Sequence, residues 1–154
     1  VSEQIKARSS VVVLETAKNF VLEKRPDLPG KLAYPGKLQL FGGGRNQDSE
    51  GTWEDPASAG ARELAEELSL DIPPGALHAE WSGEYEGEDK NGQKILRHVS
   101  MYRLGLTQFG RESLTLNVQG SIADIPKTPE AIEAMANEFT PFVLTVLRKL
   151  VKGE

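Results

Sequence analysis

One segment constrains this chain more than any other. Asp55-Pro56 opens a stretch in which Ala57, Ala61, Leu64 and Leu68 recur at helical spacing. Asp55 is suited to cap a helix and Pro56 to occupy its first turn. The same stretch carries Glu63, Glu66 and Glu67. At offsets of three and four residues these carboxylates project from one side, while Leu64 and Leu68 turn toward a core. Like charges so placed cost roughly a few tenths of a kcal/mol per pair. The crowding has a chemical use if a divalent cation sits among them, because magnesium prefers oxygen ligands and retains water or phosphate in its shell.

The rest of the chain supplies a setting for that helix. Ser10 to Glu15 reads as a buried strand, Thr16 to Asn19 as a turn and Phe20 to Glu23 as a second strand, which together form a hairpin. Asp27 to Gly36 is a loop rich in proline and glycine. Lys37 to Phe41 is a short strand that runs into Gly42-Gly43-Gly44. The helix is expected to stop before Pro73. Leu77 to Tyr85 and Lys94 to Leu106 read as strands, joined across residues 86–93 with a turn at Asn91-Gly92. Leu114 to Ile125 reads as irregular strand. Helices are expected from Thr128-Pro129 and from Thr140-Pro141 to about Lys152. Strands, helix, strands, helices is the order of a mixed sheet with helices packed on it.

Composition bounds the function classes. The 154 residues suit one domain, with 38% hydrophobic and 27% charged side chains. No run approaches the length of a membrane helix. The net charge of −5 and the lack of an evident basic face argue against a nucleic-acid polymer as partner. The polar stretch Val1 to Arg8 lacks the apolar core of a signal peptide, and Val1 suggests a trimmed start. With no cysteine in the chain, a reducing cytoplasm is the expected compartment. His78 and His98 form no zinc-binding pattern. Trp53, Trp81, Tyr85 and Phe109 have rings that can stack on a base, but packing is the plainer role for each.

Arg62-Glu63-Leu64-Ala65-Glu66-Glu67-Leu68-Ser69-Leu70, with Glu54 eight positions before Arg62, resembles the Nudix box. That pattern reads Gly, five residues, Glu, seven residues, Arg-Glu-aliphatic-x-Glu-Glu-x-Gly-aliphatic. Two positions depart from it. Ser69 stands where the last glycine is expected. Gly44 precedes Glu54 by ten positions rather than six, which places a four-residue insertion within Arg45 to Trp53. Loops lengthen at small thermodynamic cost.

The resemblance implies a Nudix-type α/β/α sandwich around a mixed β-sheet, spanning residues 1–154 as one domain. It implies that Glu63, Glu66 and Glu67 hold magnesium, or manganese in its place, and that one of them serves as base toward water. The Gly44 carbonyl is the further metal ligand it suggests, with Gly43 second. Arg62 orients the glutamates and Glu54 pairs with it. Arg25 and Arg45 are the candidate substrate-binding residues. Many MutT-like members add an acid from the segment after the later hairpin; Gln119 stands there instead, and Glu112 is the nearby candidate. The implied reaction is hydrolysis of the diphosphate linkage in a nucleoside diphosphate joined to another group, such as a nucleoside triphosphate or a nucleotide sugar.

Subfamily markers narrow this little. The proline frequent in ADP-ribose pyrophosphatases is missing at Tyr85 and Glu86. The tyrosine frequent in dinucleoside polyphosphate hydrolases is missing at Gly87 and Glu88. The balance leans toward a MutT-like nucleotide pyrophosphatase. Ser69 and Gln119 keep a second class in view, a Nudix-like module that senses a nucleotide without cleaving it. A homodimer is left open.

Overall fold

The computed structural model describes residues 7–153, so Val1 to Lys6 of the N-terminal stretch lie outside the described residues. The sheet is built from β1 (Ala7–Glu15), β2 (Asn19–Lys24), β3 (Leu38–Gln39), β4 (Phe41–Gly44), β5 (His78–Glu88), β6 (Lys94–Gly105) and β7 (Ser121–Pro126). Its main path runs β3-β2-β1-β6-β5, with β4 also paired to β1 and β7 to β2. The β1–β6 pair is parallel and the others are antiparallel, so the sheet is mixed as expected.

Alternation along β1 sends Val13 to one face and Val12 and Leu14 to the other. On the second face packs α1 (Pro56–Leu68), through Ala61, Leu64 and Leu68. On the first face pack α3 (Pro129–Ala134) and α4 (Pro141–Val151), through Ile132, Val143, Val146 and Leu147. A short α2 (Gln108–Glu112), capped by Thr107, precedes β7. The result is an α/β/α sandwich. No helix among the described residues is long and apolar enough to cross a membrane.

Several expected boundaries shift. Lys37 to Phe41 is not one strand. It breaks at Leu40 into β3 on β2 and β4 on β1, because the chain changes partners as it crosses the sheet. The later hairpin extends to Glu88, and its turn closes with Asp89 and Gln93 rather than across residues 86–93. Of the expected irregular strand only residues 121–125 enter the sheet, within β7, which runs on to Pro126. The helix α2 was not expected. On α1 the buried positions are Ala59, Gly60, Ala61, Leu64 and Leu68, while Ala57 is only half-buried, so the apolar face begins one turn later than the spacing suggests.

Candidate active site

The helix α1 is placed by its ends. Asp55 accepts from the Ser58 N–H at 3.0 Å, as an N-cap should. Ser10 of β1 donates to the Pro56 carbonyl at 2.7 Å and ties that end to the sheet. At the other end Ser69 adopts the left-handed conformation (φ 53°, ψ 28°), and the N–H of Leu70 reaches back to the Leu64 carbonyl. This is the position at which a glycine would avoid backbone strain. Asn117, in the loop before β7, bonds the Ser69 hydroxyl at 2.8 Å and the Glu66 carbonyl at 3.1 Å, and its backbone N–H donates to the Glu67 carbonyl. The loop thus satisfies carbonyls that the end of the helix leaves unpaired.

The glycines of β4 pair with β1 and press on the acidic side of α1. Gly42 has φ 143°, and a Cβ there would meet the Ser10 carbonyl at 2.2 Å, so this position requires glycine. A Cβ on Gly43 would come within 2.7 Å of the Glu63 carboxyl and would displace it, whereas a Cβ on Gly44 would meet nothing within 4 Å. The Gly42 N–H donates to Glu67 at 3.0 Å. Glu63 and Glu67 therefore lie against β4, whereas the Glu66 side chain is 58% exposed. The three glutamates share one side of α1 but not one environment.

Arg62 binds this cluster together. Its guanidinium donates to Glu54 at 2.8 and 3.0 Å, to Glu63 at 3.0 Å, to Glu66 at 3.2 Å and to the Gly44 carbonyl at 2.9 Å. The inserted loop returns Glu54 to this place. The N–H of Glu54 bonds the Asn46 carbonyl, its carboxylate accepts from the Asn46 N–H, and a bridge between Gln47 and Trp53 closes the excursion. The Arg62 bond holds the Glu54 carboxyl below its usual range.

The buried carboxyls behave in the opposite way. Burial first, then the nearby Glu23 charge, pushes Glu67 up to about 8 against the help of the Gly42 N–H. Burial also raises Glu63, more than Arg62 lowers it. Glu23, 7% exposed at the end of β2, is raised by burial and only partly offset by Arg25. Sequence reasoning did not single out Glu23. A glutamate closing the buried run Phe20-Val21-Leu22 was the available signal.

Beside the glycines of β4 opens a cavity of about 290 Å³. Gly42, Gly43 and Gly44 form one side of it. Arg25, Gln39, Tyr34, Tyr85, Arg97 and Phe142 contribute much of the remaining wall. Arg25 donates to the Ala33 carbonyl at 3.1 Å, and the Gln39 side-chain oxygen, turned toward it, accepts from the same guanidinium. The Tyr34 hydroxyl accepts from the Glu88 N–H at 3.0 Å, which straps the loop after β2 to β5. Tyr34, Gln39 and Arg97 had not been singled out. Arg97 lies two residues before Val99 on the core-facing side of β6, and a charge in that alternation was the readable sign.

The remaining sequence candidates lie elsewhere. Arg45 does not line this cavity; its Nε donates to the Glu54 carbonyl at 2.9 Å. Glu112 sits exposed on α2 and accepts from Gln108. Trp53 lies beneath the Arg8 guanidinium, and Trp81 packs against Phe142. Phe109 is 79% exposed. The His98 Nδ1 is buried without a partner among the described residues.

No family model and no curated protein matches this chain. Solved structures do. The bifunctional NMN adenylyltransferase/ADP ribose pyrophosphatase of Francisella tularensis, solved with AMP and a manganese ion, aligns with a TM-score of 0.66 at 16% identity, over 97% of this chain and 43% of its own. The Nudix domain of Shewanella oneidensis NrtR, solved with ADP ribose, aligns at 0.62 with 15% identity, over 99% of this chain and 89% of its own. The chain has the Nudix fold. A C. elegans Ap4A hydrolase aligns at 0.62 with 16% identity, over 94% of both chains. The chain spans less than half the length of the Francisella protein and of a MutT/nudix family protein from Enterococcus faecalis. The segment that resembles the Nudix box lies mainly on α1, and α1 abuts Gly42 and Gly43 of β4.

Proposed function

We propose that this chain, as one Nudix domain, hydrolyses the diphosphate linkage of a nucleoside diphosphate joined to another group, with magnesium or manganese as cofactor. The observation that carries this reading is the seating of Glu63 and Glu67 against Gly42 and Gly43 of β4, at one side of a cavity close to the usual size range of small-molecule sites. The residues fit a divalent cation in kind. Burial raises the Glu67 carboxyl and, despite the bond from Arg62, that of Glu63, so a further cation beside them would favour their ionised forms. Among the described residues no three acidic or histidine side chains are already gathered to hold an ion. Arg62 supplies the positive charge for Glu54, Glu63 and Glu66 and also takes the Gly44 carbonyl.

Glu63, Glu66 and Glu67 would hold the metal, with the Gly44 carbonyl as a further ligand once Arg62 yields it. The bound ion would supply charge neutralisation at the phosphate and a more acidic water. The protein's own share is positional. Arg62 fixes the carboxylates, Glu54 fixes Arg62, and the wall around Arg25 excludes water from one side of the ligand. One helix glutamate receives the proton of the attacking water. A nucleoside triphosphate or a nucleotide sugar is the substrate class, and the cytoplasm is the expected compartment.

A second reading has an observation of its own. The grip of Arg62 on Glu54, Glu63, Glu66 and Gly44 is a closed network, as suits a domain that binds a nucleotide without cleaving it. One screen separates the two. Nucleoside triphosphates and nucleotide sugars are incubated with the chain and magnesium, and phosphate-containing products are scored. Hydrolysis that stops on chelation supports the enzyme. Binding of the same compounds without any turnover supports the sensor.

A further inference from the structure

The two arginines of the cavity are not equivalent. Arg25 is committed inside the protein, because its donors reach the Ala33 carbonyl and the Gln39 amide and its charge faces Glu23 and Glu67. Arg97 also lines the cavity, close enough for its charge to oppose that of Arg25, yet its guanidinium makes no hydrogen bond or ion pair among the described residues. A guanidinium presents five donors in a planar fork, so an uncommitted one in a cavity wall is poised for oxygen acceptors of a ligand.

Register gives its place. Gly44 and Val99 both pair with Ser9, and Arg97 lies two residues before Val99, opposite Ala7 and Tyr85. Two strand spacings across and two residues along put the Arg97 backbone about 12 Å from that of Gly44. A ligand whose diphosphate lies at the glycines of β4 therefore carries its linked group toward Arg97 and the Tyr34 and Tyr85 rings. We infer that Arg97, and not Arg25, contacts the substrate, through oxygen acceptors on the nucleoside or sugar joined to the diphosphate. Arg25 is a positioning residue that balances Glu23 and Glu67. This rests on reading the cavity as the nucleotide site.

The test is isothermal titration of the full chain with ADP, CDP, GDP and UDP, and separately with inorganic pyrophosphate, with and without magnesium. Arg97→Met should weaken the tightest nucleotide by about tenfold to a hundredfold, the loss typical of a hydrogen bond to a charged group. It should leave pyrophosphate binding and the melting temperature unchanged. Arg97→Lys should restore only part of the affinity, because a point charge replaces a fork. Arg25→Met should instead lower the melting temperature. Parental nucleotide affinity in Arg97→Met overturns the inference, and so does an equal loss for pyrophosphate, which would place the arginine on the phosphates. If the parent binds none of these compounds, the nucleotide site itself is wrong and the inference falls with it. Failure of the variant in a parent that binds leaves the proposed function standing.

Discussion

Two buried carboxyls, one toward each end of this molecule, resolve the same problem in opposite ways. Glu15, at the end of β1, is 8% exposed and accepts from Arg103 at 2.6 and 2.7 Å and from Lys127 at 2.8 Å. Burial pushes its carboxyl up, but the bonds and charges of those two cations outweigh it and hold the group below the usual range. Glu67 receives one backbone N–H and the charge of Arg25 without a bond from it, and it faces Glu23 and Glu63, so burial prevails and the carboxyl rises to about 8. Burial alone therefore decides neither sign. The number of donors and cations bonded to the carboxyl does, and the end beside the cavity is the one left short. Carboxyls shifted by burial beside a cleft are candidates for chemistry.

The sharpest way to break this comparison is to neutralise Glu67. Glu67→Gln keeps the shape and removes the charge. If the proposed function holds, turnover falls by about a hundredfold to a thousandfold, typical of one lost electrostatic group. Folding stays intact, because the amide keeps the side chain's shape and the raised Glu67 carboxyl is mostly neutral in the metal-free fold below pH 8. Glu66→Gln should lose at least about a hundredfold as well. Initial rates with magnesium, beside a thermal melt, give both readings. Parental rates in both variants would remove the box helix from the active site.

Glu15→Gln should do the reverse. It leaves Arg103 and Lys127 with a neutral partner in a partly shielded place, and stability should fall by about 2 kcal/mol. Rates per folded molecule should not change. Urea unfolding measures the first and initial rates the second. A stability loss in Glu67→Gln as large as that in Glu15→Gln would mean that the two ends do not differ as described.

pH sharpens the same contrast without mutation. Glu67 has a folded pKa raised to about 8, above its unfolded value. The folded chain then holds the extra proton between the two, so stability attributable to Glu67 is full below the unfolded pKa and is lost as pH rises toward 8. The lowered folded pKa of Glu15 gives the opposite slope: its contribution is full above the unfolded pKa and is lost as pH falls through the folded one. Melting temperatures in metal-free buffer across pH 4 to 9 should therefore decline toward the alkaline side. That decline should flatten in Glu67→Gln and persist in Glu15→Gln. An unchanged slope in Glu67→Gln would assign the decline to another group.

What was legible in the sequence was local. Asp55 and Pro56 announced α1, and Leu64 and Leu68 fixed its buried face. The glycine run looked like a turn, but Gly42 to Gly44 pair with β1 as strand, and only Gly42 is held to glycine by backbone. That Glu63, Glu66 and Glu67 share one side of α1 was readable because their spacing on one helix is itself local. The cavity was not. Arg25 from β2, Tyr34 from a loop, Tyr85 from β5, Arg97 from β6 and Phe142 from α4 meet only through long-range strand pairing and packing. The break at Leu40 was hidden for the same reason, since it depends on which strand lies beside each residue. Ala57 was over-read, because spacing gives the face of a helix but not where along its length the sheet begins to cover it.

The smallest expected effect concerns Ser69, which stands where the box pattern has glycine. A non-glycine residue in the left-handed region costs about 1 kcal/mol relative to glycine. The structure offsets part of that through the 2.8 Å bond from Asn117 to the Ser69 hydroxyl, which a glycine would forfeit. The Asn117 bond to the Glu66 carbonyl and its backbone bond to the Glu67 carbonyl would survive the change. A neutral bond at an exposed site contributes at the low end of about 0.5–1.5 kcal/mol. Ser69→Gly should therefore stabilise the chain by only about 0.5 kcal/mol, and Ser69→Ala, which loses the bond and keeps the strain, should destabilise it by a similar amount. Neither should alter turnover, because both leave Glu63 and Glu67 against Gly42 and Gly43 of β4. Urea midpoints of the two variants beside the parent decide it. If Ser69→Gly is less stable than the parent, the hydroxyl bond outweighs the backbone strain, and the serine is the better residue for this helix end.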